Sequence, residues 1–168
     1  MLAVCGSAPG KAAAGRVAGI LRRAKQMGVA TVLDSNGAAL LQGVEGLPDL
    51  LKPNERELEA LTGSADPSSA WALIERGVGR VLVSLGEAGA ALFTQEQSLY
   101  CPAPKVQAVN PVGSGDSFVA GYLFALLRGQ SDWGALAYAC AAGAANAAMF
   151  PAARVGAKEI QEITGYVL

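Results

Sequence analysis

The chain has 168 residues, 52% of them hydrophobic, with 13 Lys and Arg against 14 Asp and Glu and no histidine. That composition supports a buried core of single-domain size and excludes a disordered chain, while a net charge of −1 with scattered basic residues excludes the footprint of a nucleic-acid binder. Three widely spaced cysteines, Cys5, Cys101 and Cys140, without histidine partners argue against a disulfide framework or a zinc site, and predict buried or semi-buried thiols in a reducing compartment.

In chain order, Leu2 to Cys5 reads as a buried strand closed by the loop Gly6-Ser7-Ala8-Pro9-Gly10. Lys11 to Met27 reads as one helix, with Val17, Ile20, Leu21 and Ala24 near helical spacing and Gly28 as its stop. Val29 to Leu33 is a second strand and Asp49 to Lys52 a third, with a short helix over Ala38 to Gly43 between them. Helices follow over Asn54 to Leu61 and Pro67 to Arg76, the latter with Asp66 as N-cap and Pro67 at its first position.

Arg80 to Leu85 is the clearest buried strand, and Gly86-Glu87-Ala88-Gly89 turns it into Ala90 to Thr94. Ser98 to Cys101 and Lys105 to Val109 are shorter extended pieces, before helices from Gly115 to Arg128 and from about Asp132 to Met149. The uncharged stretch Trp133 to Ala153 is mostly Ala and Gly, suited to tight helix packing more than to lipid. The N-terminus lacks the basic region and apolar run of a secretory signal, so the expected setting is soluble and cytoplasmic. Alternating strands and helices imply right-handed crossovers and a mainly parallel sheet, with ligand loops beyond the carboxyl ends of its strands.

Two nucleotide motifs fail. Gly10-Lys11 resembles the end of a P-loop, but Cys5 stands where its first glycine belongs and Ala12 where its Ser or Thr belongs. Gly113-x-Gly115 lacks the third glycine of a dinucleotide fingerprint, since Phe118 occupies that place. What remains at Gly113-Ser114-Gly115-Asp116 has its own logic: free amides at a helix start converge on an anion, and the glycines permit the tight turn. A carboxylate inside that nest makes sense if Asp116 accepts the proton of an attacking hydroxyl while the nest holds a transferring phosphoryl group. The bland alternative is that Ser114 or Asp116 caps the helix.

Gly113-Ser114-Gly115-Asp116 followed by Ser117-Phe118-Val119-Ala120-Gly121 resembles the second signature of the PfkB carbohydrate kinase family. Leu33-Asp34-Ser35-Asn36-Gly37, Lys52-Pro53-Asn54-Glu55-Arg56-Glu57-Leu58 and Val83-Ser84-Leu85-Gly86-Glu87-Ala88-Gly89 resemble other family segments in the same order, as does the strand and loop at Cys5 to Gly10. The resemblance implies a ribokinase-like three-layer α/β/α fold, and makes residues 1–168 the C-terminal ATP-binding and catalytic portion of a kinase domain, without the N-terminal sugar-binding half and its β lid.

It further implies Asp116 as catalytic base, Gly113, Ser114 and Gly115 as the anion hole for the γ-phosphate, and Ser84, Gly86 and Gly89 beside ATP. Asn54 and Glu57 would help organise magnesium and phosphate, although Asn followed three residues later by Glu is also a capping box. No direct metal-ligand cluster stands out. The implied partners are ATP, Mg2+ and a phosphorylated sugar, tagatose 6-phosphate or fructose 1-phosphate, with Pro111 and Ser114 leaning toward the former. The missing half implies self-association or pairing with an N-terminal piece. Two alternatives stay open: a truncated nucleotide-binding or interaction domain without catalysis, and a kinase of the same family for a nucleoside, ribose or another small alcohol.

Overall fold

The computed structural model describes residues 1–8, 10–151 and 154–166, so Pro9 of the first loop and Ala152 and Ala153 of the uncharged stretch lie outside it. The chain falls into two compact units, Met1–Ser84 with Ala91–Ser98, and Leu85–Ala90 with Leu99–Leu168.

In the first unit, β1 (Leu2–Gly6), β2 (Thr31–Ser35), β3 (Leu50–Leu51) and β4 (Val81–Ser84) pair in parallel, with Leu2 beside Thr31, Val32 beside Leu50 and Leu51 beside Val81. The connections carry α1 (Lys11–Ala14), α2 (Val17–Gln26), α3 (Gly37–Gly43), α4 (Glu55–Thr62) and α5 (Trp71–Glu75). The central strands read as apolar runs because both of their faces are covered; Val32, Leu33, Leu51, Val81, Leu82 and Val83 are almost inaccessible. Strands β5 (Ala90–Phe93) and β6 (Ser98–Cys101) complete a sheet of order β1-β2-β3-β4-β5-β6. A connection as short as 94–97 allows only an antiparallel pair, so the sheet is mixed.

Several expectations need correction. The helix expected over Lys11 to Met27 is two helices, broken at Gly15 and Arg16, where the chain makes a turn. Pro67 to Arg76 begins as a 3₁₀ turn over Pro67–Ala70 before α5; Asp66 caps that turn, its carboxylate accepting from the Ser68 N–H at 2.8 Å. The third strand shrinks to two residues, and Lys105 to Val109 is not a strand. Cys101 and Cys140 are buried as expected, but Cys5, at the end of β1, is exposed.

The second unit contains α6 (Ser114–Leu127), α7 (Asp132–Ala147) and α8 (Ala157–Thr164). Glycines set the approach of α6 to α7. A Cβ on Gly121 would stand 2.7 Å from the Ala142 methyl, and one on Gly143 would stand 3.3 Å from the Ser114 carbonyl. The alanine-rich composition of α7 follows from this close packing, since larger side chains would push the two helices apart. Among the described residues, no helix is long and apolar enough to cross a membrane.

Candidate active site

The carboxyl ends of the parallel strands gather polar side chains within the first unit. Asp34 at the end of β2 and Lys52 just past β3 form an ion pair at 2.8 Å, with side chains only 11% and 9% exposed. In so dry a setting each charge offsets part of the desolvation cost of the other. Lys52 also donates its backbone N–H to the Leu33 carbonyl at 3.0 Å, and the Ser35 hydroxyl donates to the Gly6 carbonyl. These links fix where the chain leaves the sheet for Pro53 and Asn54.

Asn54 then starts α4 as a complete capping box. Its Oδ1 accepts from the Glu57 N–H at 2.9 Å, and Glu57 Oε2 accepts from the Asn54 N–H at 2.9 Å. Helix capping therefore accounts for this Asn and Glu spacing without any ligand. Both side chains also line a cavity of about 290 Å³ together with Gly37, Leu40, Leu41 and Arg56. Ser84 ends β4 beside Asn54, and its N–H donates to the Pro53 carbonyl at 3.0 Å.

In the second unit, Gly86 and Gly89 bound a 3₁₀ turn closed by hydrogen bonds from Ala88 N to Leu85 O and from Gly89 N to Gly86 O, both 3.1 Å. The two glycines have different reasons. Gly89 has φ +114°, and a Cβ there would lie 2.1 Å from the Cys101 carbonyl oxygen; the backbone of 101–103 occupies its side-chain space. Gly86 has φ +57° and open space around it.

The loop before α6 is built from several local bonds. Val112 N donates to Asn110 Oδ1 at 3.1 Å, and Ser114 N to the Pro111 carbonyl at 3.1 Å. Gly113, at φ +78°, stands at the helix N-cap position, where no side chain caps α6. The alternative that Ser114 or Asp116 serves as the cap is thereby removed. Asp116 sits in the exposed first turn, and fourteen helical residues follow from Ser114 with their dipole's positive end at this loop.

A residue the sequence reading passed over holds the loop in place. Asn146, on α7 and 1% exposed, donates through Nδ2 to the Val112 carbonyl at 2.8 Å and to Ser114 Oγ at 3.1 Å. Ala147, next to it, accepts from the Val109 and Asn110 amides at 2.7 and 2.9 Å. The available signal was a single amide-bearing residue within an otherwise apolar, small-residue helix, a position that demands a partner when buried.

The model of the pfkB family carbohydrate kinases matches residues 1–151. The chain belongs to the PfkB family of carbohydrate kinases. A 1-phosphofructokinase of Haemophilus influenzae is 38% identical over 151 residues, which cover 86% of this chain and 48% of that protein. Among solved structures, phosphofructokinase-2 of Escherichia coli in complex with substrates and products superposes with a TM-score of 0.87 at 27% identity, covering 99% of this chain and 57% of that one. Ribokinase of Arabidopsis thaliana complexed with ribose and ATP gives 0.75 at 28% identity, over 89% of this chain and 52% of that one. The fold is thus the ribokinase-like α/β fold, a mixed sheet flanked by helices, and the chain is related to kinases. It spans about half the length of the curated relatives it matches.

Proposed function

We propose that this chain carries the phosphoryl-transfer half of an ATP-dependent sugar-phosphate kinase, with fructose 1-phosphate placed ahead of tagatose 6-phosphate. The name of the Haemophilus influenzae relative supports that order of acceptors. The reading rests above all on one observation: a helix N-terminus left uncapped by any side chain, on a loop anchored by a buried asparagine, with Asp116 exposed in its first turn.

In this reading the acceptor hydroxyl gives its proton to the Asp116 carboxylate as its oxygen bonds to the γ-phosphorus. The bond from that phosphorus to the bridging oxygen breaks, and ADP departs. Gly113 and Gly115 hold the charge on the transferring group through backbone amides and the helix dipole, and Ser114, whose amide is taken by the Pro111 carbonyl, contributes through its hydroxyl. Ser84, Gly86 and Gly89 serve ATP, while Asn54 and Glu57 steady phosphates and the metal's water shell. Magnesium, when bound, neutralises phosphate charge. The donors present suit an ion carried in on the nucleotide: one Glu57 oxygen is already engaged by Asn54, and the described residues contain no group of three or more His, Cys, Asp or Glu that could hold a metal. The cytoplasm is the setting in this reading, and the chain works with a copy of itself or with the remaining half of a family kinase.

The test is ADP release in a coupled assay, using the chain alone and mixed with a separately expressed N-terminal half of a family kinase. Magnesium-dependent turnover with fructose 1-phosphate is expected, falling on the order of 100-fold to 10,000-fold in Asp116→Asn with ATP affinity retained. Unchanged turnover in that variant removes Asp116 as base. A second reading, a nucleotide-binding domain without catalysis, draws on the half-length coverage. ATP binding with no transfer to any acceptor, even beside the N-terminal half, would establish it. Turnover confined to ribose or a nucleoside would instead place the chain with other kinases of the family.

A further inference from the structure

We propose that the cavity bordered by α6, α7 and α8 in the second unit is a binding site for a small anion carrying a planar aromatic ring, an aryl phosphate in chemical class. It is distinct from the loop before α6. Phe124 lies ten residues along α6 from Ser114, which at the helical rise puts it roughly 15 Å along the helix axis.

The cavity has a volume of about 500 Å³, within the range that accommodates ligands of nucleotide size. Its walls combine two kinds of recognition. Three rings adjoin one another: Phe124 and Tyr138 have centroids 5.9 Å apart at 30°, and Tyr138 and Tyr166 have centroids 5.9 Å apart at 57°. Tyr138, only 3% exposed, backs the other two, and Phe124, 39% exposed despite its size, offers its ring to a ligand. The Arg128 guanidinium lies over the Phe124 ring, 5.1 Å from its centroid, which presents a flat cation beside a flat apolar face.

Charge then selects the sign of the ligand. The lining includes Arg128 and Lys158, with the carboxamides of Gln130 and Gln161, and no Asp or Glu. Glu159 accepts from the Gly156 N–H at 3.0 Å, and Glu162 pairs with Lys158 at 3.6 Å, so the positive charge of the cavity rests on Arg128. Burial raises the Tyr138 phenol above its ordinary value against the opposing pull of Arg128, so it remains a neutral donor at physiological pH. A phosphate facing Arg128, with its ring against Phe124 and Tyr166, satisfies both halves of the cavity.

The experiment is equilibrium dialysis of the full chain with 1-naphthyl phosphate, alongside 1-naphthol and inorganic phosphate, with and without excess magnesium ATP. Saturable binding of 1-naphthyl phosphate that survives ATP is expected. Arg128→Gln should weaken it roughly tenfold or more, as should Gln161→Glu, which adds a carboxylate at an exposed helix position without removing packing. Circular dichroism melts of both variants should match the parent. The proposal is overturned by absent binding, by complete displacement with ATP, by equal affinity for 1-naphthol, or by unchanged affinity in both variants.

Discussion

Asn146→Ala tests whether the loop before α6 is held from α7. The substitution deletes a side-chain amide that is almost wholly buried and that donates to the Val112 carbonyl at 2.8 Å and to Ser114 Oγ at 3.1 Å. Neutral hydrogen bonds of this kind contribute about 0.5–1.5 kcal/mol each, so the pair contributes about 1–3 kcal/mol. The figure stays within that range because Val112 is largely exposed, and water reaches its carbonyl once Asn146 is gone. Expressed as local opening, the same energy accelerates exchange of the hydrogen-bonded Val112 and Ser114 amides by roughly 5-fold to 150-fold, measured on a peptide spanning 112–116 by hydrogen–deuterium exchange with mass spectrometry. Exchange within α8 serves as the internal control. ATP affinity should fall alongside if the loop cradles phosphate. Unchanged exchange at 112–116 would refute the reasoning, and would leave the Val109 and Asn110 amides on the Ala147 carbonyl as the loop's real anchor.

Three other changes probe the rest of the structure. Lys52→Met removes the counter-charge of the little-exposed Asp34 carboxylate and should cost about 3–5 kcal/mol in urea unfolding, with partial recovery in the double variant Asp34→Asn, Lys52→Met; a cost below about 1 kcal/mol would mean that other partners or water compensate the carboxylate. Gly89→Ala should prevent native folding or lower the melting temperature far more than Gly86→Ala, whose cost is confined to the about 1–2 kcal/mol of a left-handed backbone; equal effects would contradict the close approach of 101–103. Asp49 supplies a pH signature. Burial pushes its carboxyl up, but hydrogen bonds from the Thr31 hydroxyl and N–H together with Lys25 outweigh that and hold it below its ordinary 3.8. A depressed folded-state value contributes stability above 3.8 that is lost as pH falls through the lowered value, so Thr31→Val should flatten the acid limb of a stability-versus-pH curve and leave its neutral region nearly parallel to the parent.

The fold was legible where one physical demand dominated the sequence. Val81, Leu82 and Val83 in succession require burial on both faces, and the parallel strand β4 stands there. Asp66 before Pro67 encodes a cap and a fixed φ, and the structure has both. The break between α1 and α2 was not legible, because the apolar spacing continues through Gly15 and Arg16 and only tertiary packing decides whether a glycine interrupts a helix. Helix α8 passed unread because Gly156 supplies no capping side chain and Ile160 is its only described residue to be fully buried. Its usable signals were Glu159 reaching back to the Gly156 amide, and Gly165 in the left-handed conformation just past its end.

Much the same division runs through the candidate site. The tight turn and helix start at Gly113 to Asp116 were readable because backbone freedom and a carboxylate occur together over four residues, whereas the absence of a side-chain cap was not, since Ser114 and Asp116 each offered one. Asn146 was not, because its role depends on a contact across thirty-two and thirty-four residues that no local pattern encodes. Residues that share a spacing also proved to have separate causes. Gly89 is excluded from being anything larger by the backbone at 101–103, whereas Gly86 has a positive φ and no neighbour to avoid. A requirement for glycine at 89 therefore follows from folding alone, and substitutions there say little about nucleotide. Gly86 is the better probe of ligand approach, because a methyl group added at that position meets only what comes to bind.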